Sequence, residues 1–292
     1  MKDGNTRGPA GKGAPATLVA SALSNQLGAA SGSLAFPAMG PVGVVAVRQL
    51  VAAAVLLPIV RPRVWTLTRR QWWPVLLLAV VFGTMNLSLY SAIERVGLGL
   101  AVTLEFLGPL AVALISSRHR SSAICAVLAG VGVVAITQPE PSTDYFGIAL
   151  GLIAACSWAA YILLNRTVGR RIPGVQGTAA ATGVSAVLFL PVAAVIFVSR
   201  PPDPFTVLCA VGAGVLASVV PYLADLIALR RVPANIFGVL MSINPVFAAL
   251  IGALALHEHL GIAQWCGIAL IVVANAGALL FREPVRRVRA GT

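Results

Sequence analysis

Two stretches that resemble each other decide the fold of this chain: residues 92–115, AIERVGLGLAVTLEFLGPLAVALI, and residues 228–251, ALRRVPANIFGVLMSINPVFAALI. Aligned without gaps, they share the pair Arg95-Val96 with Arg231-Val232, the proline at Pro109 with Pro245, and an Ala-Leu-Ile ending. Apolar helices often have similar compositions, but a shared internal proline and a shared Arg-Val pair indicate a duplicated unit. The chain is therefore predicted to contain two related halves.

The composition around these stretches excludes an ordinary soluble domain. Of the 292 residues, 58% are hydrophobic and 10% are charged, with a mean hydropathy of +0.91. Soluble domains have about 45–50% apolar and about 25% charged residues. A water-soluble enzyme has no use for so much apolar surface, and a disordered chain could not carry it. The composition indicates a membrane protein.

Apolar spans follow one another along the chain from residue 16, separated by short polar breaks. Each is close to the ~20 residues that an α-helix needs to cross the ~30 Å hydrocarbon core of a bilayer. We therefore predict an all-α polytopic membrane protein with ten transmembrane helices. The spans are 16–37, 41–60, 74–92, 97–116, 121–138, 145–164, 175–199, 205–229, 233–256 and 261–281.

The charge distribution predicts the orientation of these helices. The chain has 21 Lys and Arg against nine Asp and Glu, a net charge of +12. With the N-terminus inside, all the basic residues except Arg48, Arg95 and Arg200 fall in cytoplasmic segments, as the positive-inside rule requires. We predict a protein of the cytoplasmic membrane with both termini in the cytoplasm. No compact basic face with interleaved aromatic residues remains, so we expect no nucleic-acid partner.

Five spans in each half place equivalent helices in opposite directions. The predicted organisation is a disordered cytoplasmic N-terminus at 1–15, a first five-helix repeat at 16–138, a second at 145–281, and a basic cytoplasmic tail at 282–292. Inverted repeats are typical of secondary transporters, because two similar halves can exchange conformations around one central site.

Charged residues inside the spans are the first candidates for function. A charge at the centre of a membrane helix costs about 2.5–3.5 kcal/mol on insertion scales. Arg48, Glu105 and Asp225 lie within predicted spans. At 1.5 Å per residue, Arg48 and Glu105 lie about 10 Å, and Asn86 roughly 9 Å, below the outer surface. Three polar side chains on three helices are therefore predicted at one level.

Two interpretations of Arg48 and Glu105 stay open. A guanidinium and a carboxylate at one depth match the two ends of a zwitterionic amino acid, but they also suit an ion pair that locks the helices together. Asp225, about 7 Å along the helix from Arg230 and Arg231, is a candidate cytoplasmic gate or proton acceptor, and the alternative is simple anchoring to those arginines.

The shared prolines are candidate helix breaks. Proline removes one backbone hydrogen bond and blocks the carbonyl four residues earlier, which for Pro109 belongs to Glu105. Freed carbonyls facing a cavity are one way in which transporters build polar sites. Pro245, with Asn244 beside it, is the counterpart in the second half, and an ordinary kink is the alternative for both prolines.

Enzyme and cofactor signatures are not found in the sequence. No Walker A motif and no convincing catalytic constellation is present, so we predict a protein that is not an enzyme and carries no cofactor. The run His257-Glu258-His259 contains metal-ligand residue types, but without HExxH spacing we expect no metal site. The energy for transport must then come from a gradient or from the substrate itself, and protonatable groups such as Glu105 and Asp225 suit proton exchange.

At the level of motifs, the chain resembles the drug/metabolite transporter superfamily of the EamA type, and within it the threonine/homoserine exporter family. The most specific stretch is Leu104-Glu105-Phe106-x-Gly108-Pro109-Leu110. The other matching stretches are Gly43-x-x-Ala46-x-Arg48, Gly83-x-Met85-Asn86-x-x-x-Tyr90, Trp158-Ala159-x-Tyr161, Pro221-Tyr222, Phe237-Gly238-x-Leu240-Met241-Ser242 and Glu258-x-Leu260.

This resemblance implies export of small neutral amino acids, with protons and the lipid bilayer as the other partners. The alternatives are export of another metabolite or drug on the same fold, and a membrane-embedded enzyme acting on lipid. Candidate proton-coupling residues are Glu105 and Asp225. The candidate substrate-binding residues are Arg48, Asn86, Tyr90, Glu105, Tyr161, Tyr222, Met241 and Asn244.

Overall fold

The computed structural model describes residues 13–117, 120–139, 141–199, 201–229, 232–255 and 261–280. Within these ranges the chain is helical and contains no strand. The terminal tails, Arg118, Arg200, Arg230, Arg231 and the run His257–His259 lie outside the described residues. The helices are α1 (Gly13–Ser33), α2 (Phe36–Val60), α3 (Arg69–Ile115), α4 (Arg120–Thr137), α5 (Tyr145–Arg171), α6 (Gln176–Ser199), α7 (Pro204–Gly214), α8 (Val220–Leu229), α9 (Ala234–Leu240), α10 (Ile243–Ala255) and α11 (Ile262–Leu280).

Many of these helices are long and apolar enough to cross a bilayer. In the described part of the chain, six such stretches are Phe36–Val60, Arg69–Val96, Arg120–Thr137, Tyr145–Arg171, Gln176–Ser199 and Pro204–Leu229. Shorter apolar helices cover Leu100–Ile115, Asn235–Ile251 and Ile262–Ala278. The predicted all-helical membrane fold is confirmed at this level, whereas the count of ten spans and the inversion of the repeats stay predictions.

The first part of α3 runs antiparallel to α5. Near one end of both helices, Gln71 Nε2 donates to the Arg171 carbonyl oxygen at 2.9 Å. Near the other end, Gly147 lies so close to α3 that a Cβ built on it would be 2.5 Å from Val96 Cγ1. The two contacts place this part of α3 along nearly the whole length of α5.

The second part of α3 runs parallel to α5, and therefore in the direction opposite to that of the first part of α3. A Cβ on Gly151 would lie 2.8 Å from Leu104 Cδ1, and one on Gly108 would clash with the carbonyl of Ala155. The chain thus reverses direction between Val96 and Leu104, although helical residues continue through this region. The reversal separates two antiparallel segments that correspond to the predicted spans 74–92 and 97–116.

Other predicted spans are divided in the structure. α2 is kinked at Gly40, whose φ of 64° lies in the left-handed region that glycine adopts without strain, and the kink lies one residue before the predicted span 41–60. The span 205–229 contains a π-helical turn at Val215–Val219 between α7 and α8. The span 233–256 is broken between α9 and α10.

Loop arginines from distant parts of the sequence meet at one end of the helices. Arg61 and Arg63 lie beside Gln176, and Arg171 Nη1 donates to the Arg70 carbonyl oxygen at 2.8 Å. We call this the arginine-rich end, and it comprises Arg61, Arg63, Arg69, Arg70, Arg170 and Arg171. The single orientation predicted for these loops requires such a grouping.

An ion pair marks the opposite end of α3 and α5. Arg95 Nε lies 2.9 Å from Asp144 Oδ2, and Asp144 caps the N-terminus of α5 by accepting the Gly147 N–H at 2.9 Å. The Gly147 N–H, and then Arg95, hold the pKa of the Asp144 carboxyl below its ordinary value. A lowered folded-state pKa means that this contribution to stability is present above the unfolded pKa and is lost as the pH falls through the folded pKa.

Helix contacts in the two halves correspond to each other. Under the offset of 136 residues, α4 corresponds to α11 and α2 to α6, and each packs against its own counterpart. The same offset relates α1 to α5 and the start of α3 to α7 and α8. The packing of α1 against α7 and α8 therefore corresponds to the packing of α5 against α3. This correspondence supports the duplication that the sequence predicts.

Two glycines face each other where α4 crosses α11. A Cβ on Gly132 would lie 2.9 Å from the Gly267 carbonyl oxygen and 2.6 Å from Ile271 Cγ1, and a Cβ on Gly267 would lie 2.7 Å from the Gly132 carbonyl oxygen. Backbone atoms on both sides of the contact cannot move as a side chain can. The crossing therefore requires glycine.

We expect Gly132→Ala to destabilise the protein by about 1–3 kcal/mol, because the added methyl overpacks a backbone contact. Thermal unfolding in detergent measures the effect. The matched control is Gly130→Ala on the same helix, where the nearest atom is the flexible Leu110 Cδ2 at 3.0 Å. Equal melting temperatures for the two variants would contradict the close crossing.

Candidate functional site

Arg48 is buried in α2, with 4% of its surface exposed. Its Nε donates to Ser218 Oγ at 3.1 Å, Nη1 to Tyr90 Oη at 2.5 Å, and Nη2 to the Ala217 carbonyl oxygen at 2.6 Å. We call these four residues the Arg48 network. A guanidinium has five N–H donors, so two remain for another partner.

No carboxylate of a described residue lies within 4 Å of the Arg48 guanidinium. Among the described residues, the one ion pair within 4 Å is the distant Arg95–Asp144 contact. Glu105, which is 8% exposed, makes no hydrogen bond to a described residue and acts on Arg48 only through space. The direct Arg48–Glu105 pair that the sequence left open is therefore not formed in this conformation.

The π-helical turn explains how a backbone carbonyl reaches Arg48. A π turn shifts hydrogen bonds from the i→i+4 to the i→i+5 pattern, and such turns occur frequently at functional sites. The turn Val215–Val219 holds both acceptors, Ala217 and Ser218. α1 packs directly on this turn, since a Cβ on Gly28 would lie 2.5 Å from Ala217 N.

Asp225 joins three helices through hydroxyl donors. Ser21 Oγ in α1 donates to Asp225 Oδ1 at 3.0 Å, and Tyr161 Oη in α5 donates to Oδ2 at 2.9 Å. Asp225 itself lies in α8 and is 6% exposed. We call these residues the Asp225 network. The predicted alternative partners, Arg230 and Arg231, lie outside the described residues.

An aromatic layer lies between the two networks. Phe82 and Tyr222 are stacked with ring centroids 4.0 Å apart and an interplanar angle of 10°. The Tyr161 ring borders the stacked pair on the side of the Asp225 network, to which its hydroxyl belongs, with its centroid 5.9 Å from Phe82 and 6.3 Å from Tyr222. Because Tyr222 follows Ser218 by one turn and precedes Asp225 by about one turn, the stacked rings separate the Arg48 network from the Asp225 network.

The Tyr222 hydroxyl is a buried polar group without a hydrogen bond of acceptable geometry. It lies beside Gln49, Asn86 and Ser218. Asn86 instead donates from Nδ2 to the Phe82 carbonyl oxygen at 2.8 Å, and Gln49 Nε2 donates to the same oxygen at 3.1 Å. A buried hydroxyl without a partner costs about 1–3 kcal/mol, so this group is available for a ligand.

We expect Tyr222→Phe to leave the free energy of unfolding unchanged or to raise it slightly, because the variant removes an unsatisfied hydroxyl. If Tyr222 binds substrate, the same variant raises the transport KM by roughly tenfold, the value of one hydrogen bond of about 1.4 kcal/mol. The measurements are thermal unfolding and initial transport rates.

The matched control is Tyr161→Phe, which removes a hydroxyl that donates to Asp225. That variant is expected to lower stability by about 1–3 kcal/mol, because a buried acceptor loses its partner. Destabilisation by Tyr222→Phe as large as that by Tyr161→Phe would contradict this description of the Tyr222 hydroxyl.

Asn244 forms a separate amide cluster at the break between α9 and α10. Its Oδ1 accepts hydrogen bonds of 3.4 Å from Asn25 Nδ2 and Gln26 Nε2, and its Nδ2 donates to the Met241 carbonyl oxygen at 2.9 Å. The cluster joins α1 to the second half of the chain beside Pro245. At Pro109, by contrast, helical residues continue to Ile115, so no interruption of the helix is seen there.

The structure thus places the predicted residues in three hydrogen-bonded groups and at the aromatic layer, and it leaves Glu105 buried outside all of them. Arg48 and Tyr90 share the first network, Tyr161 and Asp225 the second, and Asn244 and Met241 the amide cluster, while Asn86 and Tyr222 lie at the aromatic layer. Sequence reasoning missed Ser218 as a partner of Arg48. The 136-residue offset relates Asn86 to Tyr222 and Glu105 to Met241, so it could have linked candidates from the two halves.

The sequence of this chain is similar to those of known membrane transporters. Residues 145–280 match the model of the EamA-like transporter family. The threonine/homoserine exporter RhtA of Salmonella typhimurium (strain LT2) is 35% identical over 272 residues, covering 91% of this chain and 92% of the relative. The protein of the same name from Escherichia coli (strain K12) is 34% identical over 266 residues, covering 90% of each chain.

A solved crystal structure shares the fold. It matches with a TM-score of 0.73 at 19% sequence identity, covering 91% of this chain and 95% of that chain. The sequence similarity to the exporters extends over both halves, beyond the segment matched by the family model. The chain belongs to the EamA-like transporter family and is a membrane transporter, not an enzyme.

Proposed function

We propose that this protein exports small neutral amino acids, such as threonine or homoserine, across the cytoplasmic membrane in exchange for protons. The observation that carries the proposal is the buried guanidinium of Arg48, which has no carboxylate partner within 4 Å among the described residues. The two relatives described above are threonine/homoserine exporters by name, which supports this choice of substrate.

Arg48 is proposed to bind the substrate carboxylate. Removing a charge from water costs several kcal/mol unless a partner compensates, so a buried cation held by neutral acceptors favours an incoming anion. Guanidinium N–H groups match the two oxygens of a carboxylate. Tyr90, Ser218 and the Ala217 carbonyl would fix the orientation of Arg48 during this exchange.

Glu105 is proposed to receive the substrate ammonium group, or a proton exchanged for it. Its carboxylate is buried and makes no hydrogen bond to a described residue, so it can accept a new donor without breaking one. Asn86, Tyr222, Met241 and Asn244 are the proposed contacts for the rest of the substrate. Tyr161 is proposed to act through Asp225.

Alternating access is proposed to open and close the Asp225 network. We assign the arginine-rich end to the cytoplasm together with both termini, following the positive-inside rule. The aromatic layer and the Asp225 network then close the path between Arg48 and the cytoplasm. Loading substrate from inside requires the layer to part and Asp225 to release Ser21 or Tyr161, while the two inverted five-helix halves exchange conformations.

Counterflow in proteoliposomes tests the substrate class. Vesicles loaded with unlabelled threonine are expected to take up labelled threonine and labelled homoserine. They are expected to take up much less labelled leucine, glutamate or a toxic organic cation. Uptake of the cation in preference to threonine would replace the proposal by drug export. Turnover of lipid in detergent, with no counterflow of any compound, would replace it by a lipid-modifying activity.

A further inference from the structure

We propose that a groove at the arginine-rich end binds the phosphate headgroup of an anionic phospholipid. The groove lies between the loop that joins α2 to α3 and the first residue of α6, and its volume is about 860 Å³. The proposal does not depend on which substrate the transporter carries. The groove is lined by Leu57, Val60, Arg61, Pro62, Arg63, Val64, Trp65 and Gln176.

The positive charges of the groove have no acidic partner among the residues that the structure describes. Arg61 and Arg63 are exposed, and neither forms an ion pair within 4 Å with a described residue. The described acidic residues are Glu94, Glu105, Asp144, Asp203 and Asp225, and none lines the groove. Two guanidinium groups on one concave surface favour a phosphate, whose oxygens accept bidentate hydrogen bonds.

The loop holds Arg61 in a defined position. Its backbone lies in the left-handed region at φ 45°, which is uncommon for a residue other than glycine. The Arg61 N–H donates to the Leu57 carbonyl oxygen at 2.8 Å, and Arg61 Nε donates to the Pro58 carbonyl oxygen at 3.2 Å. These contacts leave the remaining guanidinium donors free to face a ligand.

Apolar groups identify the source of the phosphate as a lipid. Trp65 is 83% exposed in a short 3-10 turn, Val64–Thr66, that follows the end of α2, and tryptophan is enriched at the level of lipid headgroups. Leu57, Val60 and Val64 continue the groove with apolar surface suited to a glycerol backbone and acyl chains. Basic pockets between membrane helices on the cytoplasmic side bind anionic headgroups.

Native mass spectrometry of the delipidated full-length protein tests the proposal. The probes are dioleoyl phosphatidylglycerol, dioleoyl phosphatidylcholine and inorganic phosphate. We expect one phosphatidylglycerol molecule to bind tightly per chain and phosphatidylcholine to bind at least roughly tenfold more weakly. The double variant Arg61→Gln/Arg63→Gln is expected to lower the affinity for phosphatidylglycerol by roughly tenfold or more. Millimolar inorganic phosphate is expected to displace little of the lipid.

The matched control is Arg69→Gln/Arg170→Gln, which removes the same charge from exposed positions of the same end outside the groove. Equal losses in the two double variants would overturn the proposal in favour of general attraction to the basic surface. Displacement of the lipid by inorganic phosphate would overturn it in favour of a free-anion site. If Arg61→Gln/Arg63→Gln does not fold, the single variants Arg63→Gln and Trp65→Ala, both at exposed side chains, replace it. Each must then lower the affinity for phosphatidylglycerol more than the control double variant does.

Discussion

Arg48→Met is expected to abolish threonine transport while the protein stays folded. If the guanidinium holds the substrate carboxylate by two charge-assisted hydrogen bonds, each of about 1.5 kcal/mol or more, its loss lowers kcat/KM by about 100-fold or more. The variant leaves no buried charge behind, but the Ala217 carbonyl oxygen loses its donor, so we expect the free energy of unfolding to fall by about 1–3 kcal/mol without loss of the fold. Efflux from loaded vesicles and thermal unfolding measure the two effects.

Two further variants separate binding from structure at this position. Arg48→Lys keeps the charge but loses the planar arrangement of donors, and it is expected to transport better than Arg48→Met but far below the wild type. Gln49→Met removes a neighbouring buried polar group of the same helix, and we expect transport within a few-fold of the wild type. An Arg48→Met protein that unfolds while Gln49→Met stays folded would show that Arg48 is structural.

Asp225→Asn is expected to remove the response to a pH gradient while leaving substrate exchange intact. A gradient of one pH unit supplies about 1.4 kcal/mol per proton, enough for a tenfold amino-acid gradient if one proton is exchanged. The amide cannot take up that proton, but it can still hydrogen-bond Ser21 and Tyr161, so the helices stay joined. Gradient-driven efflux and counterflow, measured on the same vesicles, distinguish the two activities.

Two control variants accompany Asp225→Asn. One keeps a carboxylic acid at position 225, and the other leaves Asp225 unchanged and removes a carboxylate elsewhere. Asp225→Glu retains a carboxylic acid and is expected to retain part of the response to pH. Asp144→Asn makes the same change at the opposite end of the helices, and we expect an unaltered response. If Asp225→Asn responds to the gradient like the wild type, the proton is carried elsewhere, and Glu105→Gln is the next variant to measure.

The sequence predicted the membrane fold because the signals involved are one-dimensional. Span length, hydropathy and loop arginines are properties of consecutive residues, and the structure accordingly groups Arg61, Arg63, Arg70 and Arg171 at one end. The similarity of 92–115 to 228–251 likewise corresponds to helix contacts in the two halves. These features require no knowledge of which helix faces which.

The partners within the site could not be predicted in the same way. Distance along a helix gives the depth of a side chain but not its direction, so equal depth suggested that Arg48 meets Glu105. Arg48 instead donates to Ser218, which is 170 residues away in sequence, because the π turn presents that acceptor. Asp225 similarly binds Ser21, 204 residues away. Such contacts depend on helix rotation and packing, which hydropathy does not specify.

Efflux of labelled threonine from proteoliposomes tests the central claim most directly. Vesicles with a lumen one pH unit more alkaline than the medium are expected to release threonine faster than vesicles without a gradient, since protons entering drive the amino acid out. Vesicles that contain the Arg48→Met variant are expected to release threonine no faster than protein-free liposomes of the same lipid loaded in the same way. Wild-type efflux equal to that of protein-free liposomes under both conditions would contradict the assignment of this protein as a proton-coupled amino-acid exporter.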